Sequence, residues 1–421
     1  MNNVQPLTPM APEWQGSIKA SFPVFDPASP GGRLHYLDNA ATTQKPRQVI
    51  AAMTHCYEAG YAPIHRGLYP LAERATDSYE QARARLAVFF GAATPDQLIF
   101  TRSATESLNM VAEGWARGRL KPGDQVWVTR MEHHANFLPW QRVCHATGAT
   151  LRIIELDEEG RLDIENTPDL FSNATRLIAV TQVSNVLGVV NPVADLCRRA
   201  REQGIVVVVD GAQAVGHSAI DLQSLDCDFF ACSAHKMYGP AGIGLLYARQ
   251  VRLEEMEPWL VGGGMVDAVG QSAAETVWSP GPARFEAGSP NLPGAVGFAA
   301  AAVFMEQIGV QAIARHVAAL TRSAMAKLDQ VPGLQLTVPQ ASVAAPVLSF
   351  TMHGVHPHDL AQIAGERQVA IRAGHHCAQP LLQTLGLSAT ARASFAIYND
   401  ESDLDALAES IDYAHSFFNA G

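Results

Sequence analysis

The sequence predicts an α/β protein with a large domain built on a mostly parallel sheet and a smaller C-terminal α+β domain. The first observation is an alternation of short β-rich runs with helical patterns from about residue 75 onward. The second is the run 205–209, which is apolar on both faces, as a strand in the middle of a covered sheet requires. The third is a change past about residue 290, where longer helical patterns precede isolated strands.

The individual elements follow from these periods. Strands are predicted at 97–101, 125–129, 151–155, 177–182, 205–210, 229–233 and 244–247, with helices such as 103–116 and 192–203 between them. Strands that alternate with helices imply crossover connections and a mostly parallel sheet covered on both faces. In the C-terminal part, helices are predicted at 294–308, 310–330, 357–367 and 401–418, and strands at 346–351 and 369–372. We therefore expect an N-terminal arm (1–30), a large domain (31–290) and a small domain (291–421).

Charge and composition exclude several classes of protein. The 30 Lys and Arg residues against 41 Asp and Glu residues give a net charge of −11, which argues against a nucleic-acid or anionic-membrane surface. With 48% hydrophobic and 17% charged residues the chain is globular, and its longest apolar stretch, 294–305, is too short to span a bilayer. Six cysteines without a CxxC pair do not form a disulfide scaffold, and no secretory signal is visible. A cytoplasmic location is therefore expected.

Two polar residues at strand ends indicate a specific chemistry. Asp210 closes the most apolar strand, and Lys236 follows the next strand, just before a Tyr-Gly-Pro turn. Ligands of open α/β sheets lie beyond the carboxyl ends of strands. Burial lowers the pKa of a lysine and makes its amine a nucleophile. A lone Asp or Lys of this kind is often only structural, but together they match the needs of pyridoxal phosphate: a lysine for its aldehyde and an acid for its ring nitrogen.

That cofactor also needs a site for its phosphate and a planar side chain that stacks on its ring. The segment 101–106 offers a strand end, hydroxyl groups and a helix start, although Thr105 alone reads equally as an ordinary helix cap. The loop 132–136 offers His133 or His134 as the stacking side chain. Adjacent histidines on an extended chain point to opposite sides, so we expect no metal there.

Six segments together carry a resemblance to a known family. They are VDGAQAVGH, SAHKMYGPAGIG, MEHHANFLPWQ, VSNVLG, RFEAGSPN and RAGHHCAQP, and the similarity extends from about Tyr36 to the last predicted helix. The chain resembles the cysteine desulfurases, and among them the Suf-type or group II branch of the class V aminotransferase superfamily. The resemblance implies the PLP-dependent transferase fold of type I and the conversion of L-cysteine to L-alanine.

The resemblance also implies a residue for each task at the cofactor. Lys236 holds the cofactor and moves the α-proton, Asp210 pairs with the pyridine nitrogen, and His133 stacks on the ring and relays a proton. The other implied contacts surround the phenolic oxygen and the phosphate: Gln213, Ala104, Thr105, Ser233, His235 and, reaching a partner subunit's phosphate, Ser289. This last implication makes the expected protein a homodimer with active sites near the subunit boundary.

On the substrate side, the resemblance implies Asn185 and Arg392 as carboxylate contacts, with Arg372 as a further one. Cys377 is implied to take the sulfur as a persulfide and to pass it to an acceptor protein of the Suf or Csd type, for iron–sulfur cluster assembly or another branch of sulfur metabolism. Histidines 375 and 376 are expected to favour its thiolate by charge or hydrogen bonding. Because a helix follows soon after, the short Cys377 loop predicts a shielded thiol. The other five cysteines are expected to be packing residues.

Some positions depart from the pattern, and alternatives stay open. Ser103 and Ala104 replace a common Gly-Thr pair, Ala234 replaces a common Gly, and Ser289 and Ala373 each replace a Thr. None of these changes removes a group essential to the reaction, but the first puts phosphate affinity in question. The alternative functions are selenocysteine lyase activity on L-selenocysteine, another class V reaction such as transamination, and a catalytically silent partner protein.

Overall fold

The computed structural model describes residues 18–29 and 34–419, and its secondary structure alternates as expected. In chain order the strands are β1 His35–Tyr36, β2 Leu98–Thr101, β3 Gln125–Thr129, β4 Thr150–Ile154, β5 Thr175–Thr181, β6 Val206–Asp210, β7 Phe229–Ser233, β8 Gly244–Ala248, β9 Val266–Ala268, β10 Val277–Trp278, β11 Leu334–Leu336, β12 Val347–Met352, β13 Val369–Ala370, β14 Arg372–Gly374 and β15 Thr390–Ser394.

The α-helices are α1 Arg47–His55, α2 Pro70–Phe89, α3 Ala104–Val111, α4 Leu138–Thr147, α5 Val193–Glu202, α6 Leu222–Leu225, α7 Gln250–Glu255, α8 Leu292–Ile308, α9 Val310–Leu328, α10 Pro357–Glu366, α11 Gln379–Thr384 and α12 Glu401–Asn419. The helix predicted at 103–116 is α3 followed by a π-helical turn, Ala112–Ala116. The strand predicted at 369–372 is in fact the two short strands β13 and β14.

The large sheet has seven strands in the order β2-β8-β7-β6-β5-β3-β4. Strand β8 is antiparallel to both neighbours, and the other pairings are parallel. Along β6 the side chains alternate between two apolar layers: Val207 and Val209 pack into one, Val206 and Val208 into the other. The sheet is therefore covered on both faces, and the predicted α/β class with a mostly parallel sheet is confirmed.

The register of the central strands determines where functional groups meet. Thr181 at the end of β5 pairs with Asp210 at the end of β6, and Asp210 pairs with Ala231 of β7. Because these strands are parallel, their carboxyl ends lie at one edge of the sheet. Lys236 follows β7 by a 3₁₀ turn, Ala234–Lys236, and thus lies at the same edge.

The C-terminal part contains an antiparallel sheet of order β11-β12-β15-β14. Strand β1 pairs in parallel with β13, so the chain near residue 35 contacts this part. Helix α8 packs in the same apolar core as β6, whereas α9 supplies residues to a separate core with β12 and α12. The division into domains at residue 290 stays a prediction.

The predicted N-terminal arm, 1–30, lies largely outside the described residues. Of its described part, Phe22 is buried and its ring lies 4.7 Å from that of Tyr398 and 6.0 Å from that of Tyr238, between ring centroids. Among the described residues no single helix is long and apolar enough to cross a membrane, and α8 with α9 passes such a test only as a pair bent by 77°.

A buried ion pair fastens α2 to the edge of the large sheet. The Arg83 guanidinium donates to both carboxylate oxygens of Glu286, at 2.6 and 2.9 Å, and to the carbonyl of Leu98. The same carboxylate accepts the amide of Phe100 at 2.7 Å. The side chains of Arg83 and Glu286 are only 2% and 6% exposed, so the pair is isolated from water.

We expect the substitution Arg83→Met to lower the free energy of unfolding by about 3 kcal/mol, because it leaves the Glu286 carboxylate buried without its cation. Arg198→Met is the matched control, because that guanidinium is 61% exposed and pairs only with surface carboxylates. The control should change the free energy by less than about 1 kcal/mol. Denaturant midpoints measure both variants, and equal midpoints would show that the buried pair adds nothing.

Candidate active site

A cavity of about 200 Å³ lies at the carboxyl edge of the large sheet, next to the C-terminal part. Every site residue predicted from the sequence lines it, except Ser289: Ala104, Thr105, His133, Asn185, Asp210, Gln213, Ser233, His235, Lys236, Arg372, Cys377 and Arg392. Ser289 instead lines two other cavities, one of which it shares with residues 61–66. The structure therefore brings together residues far apart in the chain.

The backbone turn that carries Lys236 into this cavity is held by several contacts. The carbonyl of His235 accepts hydrogen bonds from the Thr42 and Thr43 hydroxyls, each at 3.1 Å, and from the Thr43 amide at 2.9 Å. Gly216 lies against the same turn, where a Cβ atom would be 2.5 Å from the Lys236 carbonyl oxygen. Burial lowers the pKa of Lys236 to about 8, although Asp210 opposes the shift. The amine is therefore a better nucleophile at neutral pH than an ordinary lysine.

Asp210 is buried at the end of β6, where its Oδ1 accepts the amide of Ala212 at 2.9 Å. Burial raises its pKa, and the hydrogen bond from Ala212 and the charge of Lys236 oppose that shift. A buried carboxylate with so few partners is costly unless another donor meets it. The nitrogen of a protonated pyridine ring is such a donor. Gln213 is close by, and its Nε2 donates to the carbonyl of Ala40 at 2.8 Å.

The N-terminus of α3 also lines the cavity. Ser103 caps this helix, since its hydroxyl accepts the amide of Glu106. The Ala104 amide donates to Ser233 Oγ at 2.8 Å, so the Ser233 hydroxyl proton is free to point elsewhere. Thr105 is exposed at the first turn. A helix N-terminus with two hydroxyl groups, those of Thr105 and Ser233, suits a phosphate. The Ala104 amide was predicted to contact the phosphate, but in this structure it donates to Ser233.

His133 presents a neutral ring to the cavity. Its Nδ1 accepts the amide of Ala135 at 3.0 Å, so the ring proton is on Nε2. Burial, helped by the charge of Lys236, lowers its pKa to about 3. Burial also lowers the pKa of His235 to about 4, so this predicted phosphate contact is a neutral donor. Both rings therefore act through hydrogen bonds and stacking and not through charge.

The loop that carries His133 depends on a residue the sequence did not indicate. Glu132 is buried, and its carboxylate accepts from the Thr129 hydroxyl at 2.7 Å, the Thr181 amide at 2.8 Å and Asn136 Nδ2 at 2.6 Å. These bonds join the ends of β3 and β5 to the loop. The only sequence signal was an acidic residue directly before the histidine pair, and it does not separate a buried anchor from a solvated one.

Arg392 is buried on β15 and has unused hydrogen-bonding capacity. Its Nη1 donates to the Asn185 carbonyl at 3.0 Å and its Nη2 to Asp38 Oδ1 at 3.2 Å, while its buried Nε has no partner. Arg372 Nε donates to the other Asp38 oxygen at 3.2 Å. Asp38, also missed from the sequence, thus bridges the two arginines predicted to meet the substrate carboxylate. The free Nε of Arg392 leaves a donor for such an anion.

Cys377 lies exposed at the cavity, and the other five cysteines are buried thiols, as predicted for packing residues. The expectation of a shielded thiol was therefore wrong for this chain: a short loop limits how far the thiol travels, but it does not cover it. Of the two routes expected for the histidines, charge or hydrogen bonding, charge does not hold for His376. Burial, with the Arg392 charge nearby, lowers the pKa of His376 to about 3, so the ring is neutral. His375 is exposed next to it.

These side chains fit pyridoxal phosphate at each of its functional groups. A buried amine would meet the aldehyde, a buried carboxylate the ring nitrogen, a neutral imidazole the ring face, and a helix N-terminus with hydroxyls the phosphate. No group of His, Cys, Asp and Glu side chains suited to a metal occurs in residues 18–29 and 34–419. Fold and site together define a pyridoxal-phosphate-dependent enzyme of fold type I.

Comparison with known proteins gives the family. Residues 35–407 match the family described as aminotransferase class-V. A probable cysteine desulfurase of Halalkalibacterium halodurans is 44% identical over 401 residues, which are 95% of this chain and 98% of the relative. The chain belongs to the class-V aminotransferase family and, within it, to the cysteine desulfurases.

Solved structures agree with that membership. The cysteine desulfurase CsdA of Escherichia coli superposes with a TM-score of 0.86 at 39% identity, covering 96% of this chain and 99% of that one. The apo cysteine desulfurase of Thermococcus onnurineus superposes with a TM-score of 0.89 at 36% identity, covering 96% and 98%. The resemblance read from the six segments is thereby confirmed at the level of the family, and the cofactor with it.

The lowered pKa of Lys236 has a measurable consequence for loading of the cofactor. Because only the neutral amine attacks an aldehyde, capture of pyridoxal phosphate by the apoenzyme should speed up about tenfold per pH unit below pH 8 and level off above it. The visible absorbance of the lysine-bound cofactor reports the rate. A rate that continues to rise toward pH 10 would mean that the amine has the pKa of an ordinary lysine.

Proposed function

We propose that the protein releases L-alanine from L-cysteine and stores the sulfur on Cys377 as a persulfide, from which an acceptor protein collects it. The observation that carries this proposal is that Cys377, the exposed thiol, lines the same cavity as the buried amine of Lys236. A transaminase has no need of a thiol at that place, whereas a sulfur transfer needs one within reach of the substrate.

We assign each residue a task that its environment supports. Arg392 binds the substrate carboxylate through its free Nε, and Arg372 and Asn185 complete that end of the cavity. Lys236 holds the cofactor and then carries the proton between Cα and the medium, for which a pKa of about 8 is suitable. Asp210 holds the proton on the ring nitrogen. The bound cofactor supplies an electron sink for the pair that is released when the Cα–H bond breaks.

His133 orients the ring from one face, and its Nε2–H is the one donor that its neutral imidazole offers. We propose that the phosphate lies at the start of α3, between Thr105, Ser233 and His235. We keep Ser289 as a contact to the cofactor of a second subunit, because it lies outside the cavity of its own chain. A homodimer is part of the proposal for that reason.

The transfer itself balances without an outside oxidant. The Cys377 sulfur attacks the substrate sulfur, the Cβ–Sγ bond breaks, and a sulfur–sulfur bond forms. The electron pair of that broken bond stays with the carbon skeleton, which takes up a proton in place of sulfur. L-cysteine and one thiol thus give L-alanine and one persulfide. Reaction at a thiolate requires that the Cys377 proton leaves first.

The Cys377 loop also supports the proposed acceptor. Between the end of β14 at Gly374 and the start of α11 at Gln379 the loop is too short to carry sulfur outward. An acceptor of the Suf or Csd type must therefore dock at the mouth of the cavity, where Cys377 is exposed. We propose the group II branch for this enzyme on that basis. The free state of all six thiols supports a cytoplasmic role, with iron–sulfur cluster assembly as the proposed use of the sulfur.

The acceptor proposal is tested by turnover of L-cysteine with and without a purified Suf-type acceptor protein. We expect the acceptor to increase alanine release severalfold, because it clears the persulfide that blocks Cys377. A small thiol reductant that stimulates equally well would contradict a dedicated docking site. Parallel assays with L-selenocysteine measure the alternative substrate, which the same cavity would accommodate.

A further inference from the structure

The backbone at Cys377 is in an unusual conformation. His376 and Cys377 have φ values of +51° and +55°, so two consecutive residues with side chains lie in the left-handed region. Residues other than glycine rarely adopt this conformation, and a pair of them persists only where the surroundings hold it. Contacts with neighbouring residues must therefore stabilise this backbone conformation.

Hydrogen bonds from two other loops hold the strained pair. Asn185 Nδ2 donates to the His376 carbonyl at 2.8 Å, and the His134 amide donates to the Cys377 carbonyl at 2.7 Å. The His376 ring is fixed from behind, with Nε2 2.9 Å from the Thr390 hydroxyl. Of these partners, only Asn185 reaches the loop with a side chain that also lines the cavity.

Asn185 is itself anchored. It is 5% exposed, and its carbonyl accepts from Arg392 Nη1 at 3.0 Å. The bond from Arg392 therefore fixes the backbone of Asn185. The side-chain amide of Asn185 then holds the His376 carbonyl, and with it the adjacent Cys377, in a defined place. Arg392, Asn185 and the Cys377 loop form a continuous hydrogen-bonded chain from the carboxylate end of the cavity to the thiol.

We propose that Asn185 is a positioning residue for the sulfur acceptor: its side-chain amide holds the left-handed His376–Cys377 pair, so that the thiol stays at the place where a substrate anchored on Arg392 presents its sulfur. This inference rests on the proposed function, since it gives the held thiol the task of receiving sulfur. It assigns to Asn185 a role beyond contact with the substrate carboxylate, which would act on substrate binding and not on the loop.

The test measures the loop directly, by alkylation of the holoenzyme with iodoacetamide in the absence of substrate. In Asn185→Ala the Cys377 loop loses a restraint, and we expect Cys377 to react about fivefold faster. This is the factor by which the loss of one ordinary hydrogen bond shifts an equilibrium between a held and a released loop. The same variant should lower kcat for alanine release by more than it raises the KM for L-cysteine. Asn173→Ala is the matched control, because that side chain is exposed and is not among the residues that line the cavity.

The other cysteines separate a local effect from general loosening. Because those five thiols are buried, peptide mapping of the label should show the increase at Cys377 alone. Labelling that rises at all six would mean that Asn185 supports only the fold and would overturn the proposal. The proposal would also be overturned if Cys377 of Asn185→Ala were alkylated at the same rate as in Asn173→Ala while the KM for L-cysteine rose. Asn185 would then serve only to bind the substrate carboxylate.

A milder change, Asn185→Ser, keeps the test decisive if the alanine variant does not fold. A serine hydroxyl is polar, but from the same Cα it is too short to replace the 2.8 Å hydrogen bond from Asn185 Nδ2 to the His376 carbonyl. It should speed alkylation of Cys377 at least twofold, and an unchanged rate would overturn the proposal. The alkylation assay needs no turnover. A wild-type protein that released no alanine would refute the proposed function while the comparison of the variants still tested the hold on the loop.

Discussion

Replacing Lys236 with alanine should abolish both the visible absorbance of bound cofactor and the release of alanine from L-cysteine. Lys236 is the buried amine of the cavity, its pKa is lowered to about 8, and Asp210 lies within its electrostatic reach. Its loss removes the covalent link to the cofactor and the base at Cα together. The rate should therefore fall by at least about 10³-fold, within the range for the loss of a general base.

Lys121→Ala is the control for this experiment, since Lys121 is exposed on the surface and should keep both absorbance and rate. Absorbance spectra and alanine assays on the same preparations measure the two effects. A Lys236→Ala protein that kept its absorbance and a substantial rate would mean that another amine carries the cofactor. Lys45, whose pKa burial also lowers to about 8, would then be the residue to examine.

Replacing Cys377 with alanine should separate sulfur transfer from all other chemistry of the fold. Cofactor binding and its spectrum should be unchanged, because Cys377 lies at the cavity but not among the groups proposed to hold the cofactor. Alanine release should fall by about 10²-fold or more, as expected when a group that acts only in the reacting complex is lost. The spectrum and the rate are measured on one sample.

Cys56→Ala provides the matched control, because it removes one of the buried thiols and leaves the cavity intact. It should retain the rate of the wild-type protein. A Cys377→Ala protein with undiminished turnover would indicate an aminotransferase or another class V reaction, since such reactions need no thiol.

Much of the fold was predictable from local patterns. The run 205–209 is apolar at every position, and all but its first residue belong to β6 in the centre of the sheet. The same patterns placed Asp210 and Lys236 at neighbouring strand ends, because parallel strands that follow each other through a helix usually lie side by side. A lysine and an acid at adjacent strand ends are the pair that pyridoxal phosphate needs, so the cofactor was predictable from these local patterns as well.

The parts that were missed depend on contacts between distant segments. Asp38 meets Arg392 across 354 residues of sequence, and Glu132 binds the Thr181 amide across 49. No local period encodes such pairs. Burial was also misjudged at single positions: the neutral state of His376 follows from its enclosure, and the exposure of Cys377 follows from where its loop meets the cavity. Neither can be read from the motif GHHC.

The most direct test of this account is a single-turnover reaction of the purified holoenzyme with L-cysteine, without acceptor, followed by alanine analysis and peptide mass measurement. We expect one equivalent of alanine per active site and a mass increase of one sulfur atom on the peptide that contains Cys377. Alanine without that added sulfur, or the sulfur on another cysteine, would contradict the assignment of Cys377. Absence of alanine from a protein that holds its cofactor would contradict the reaction itself.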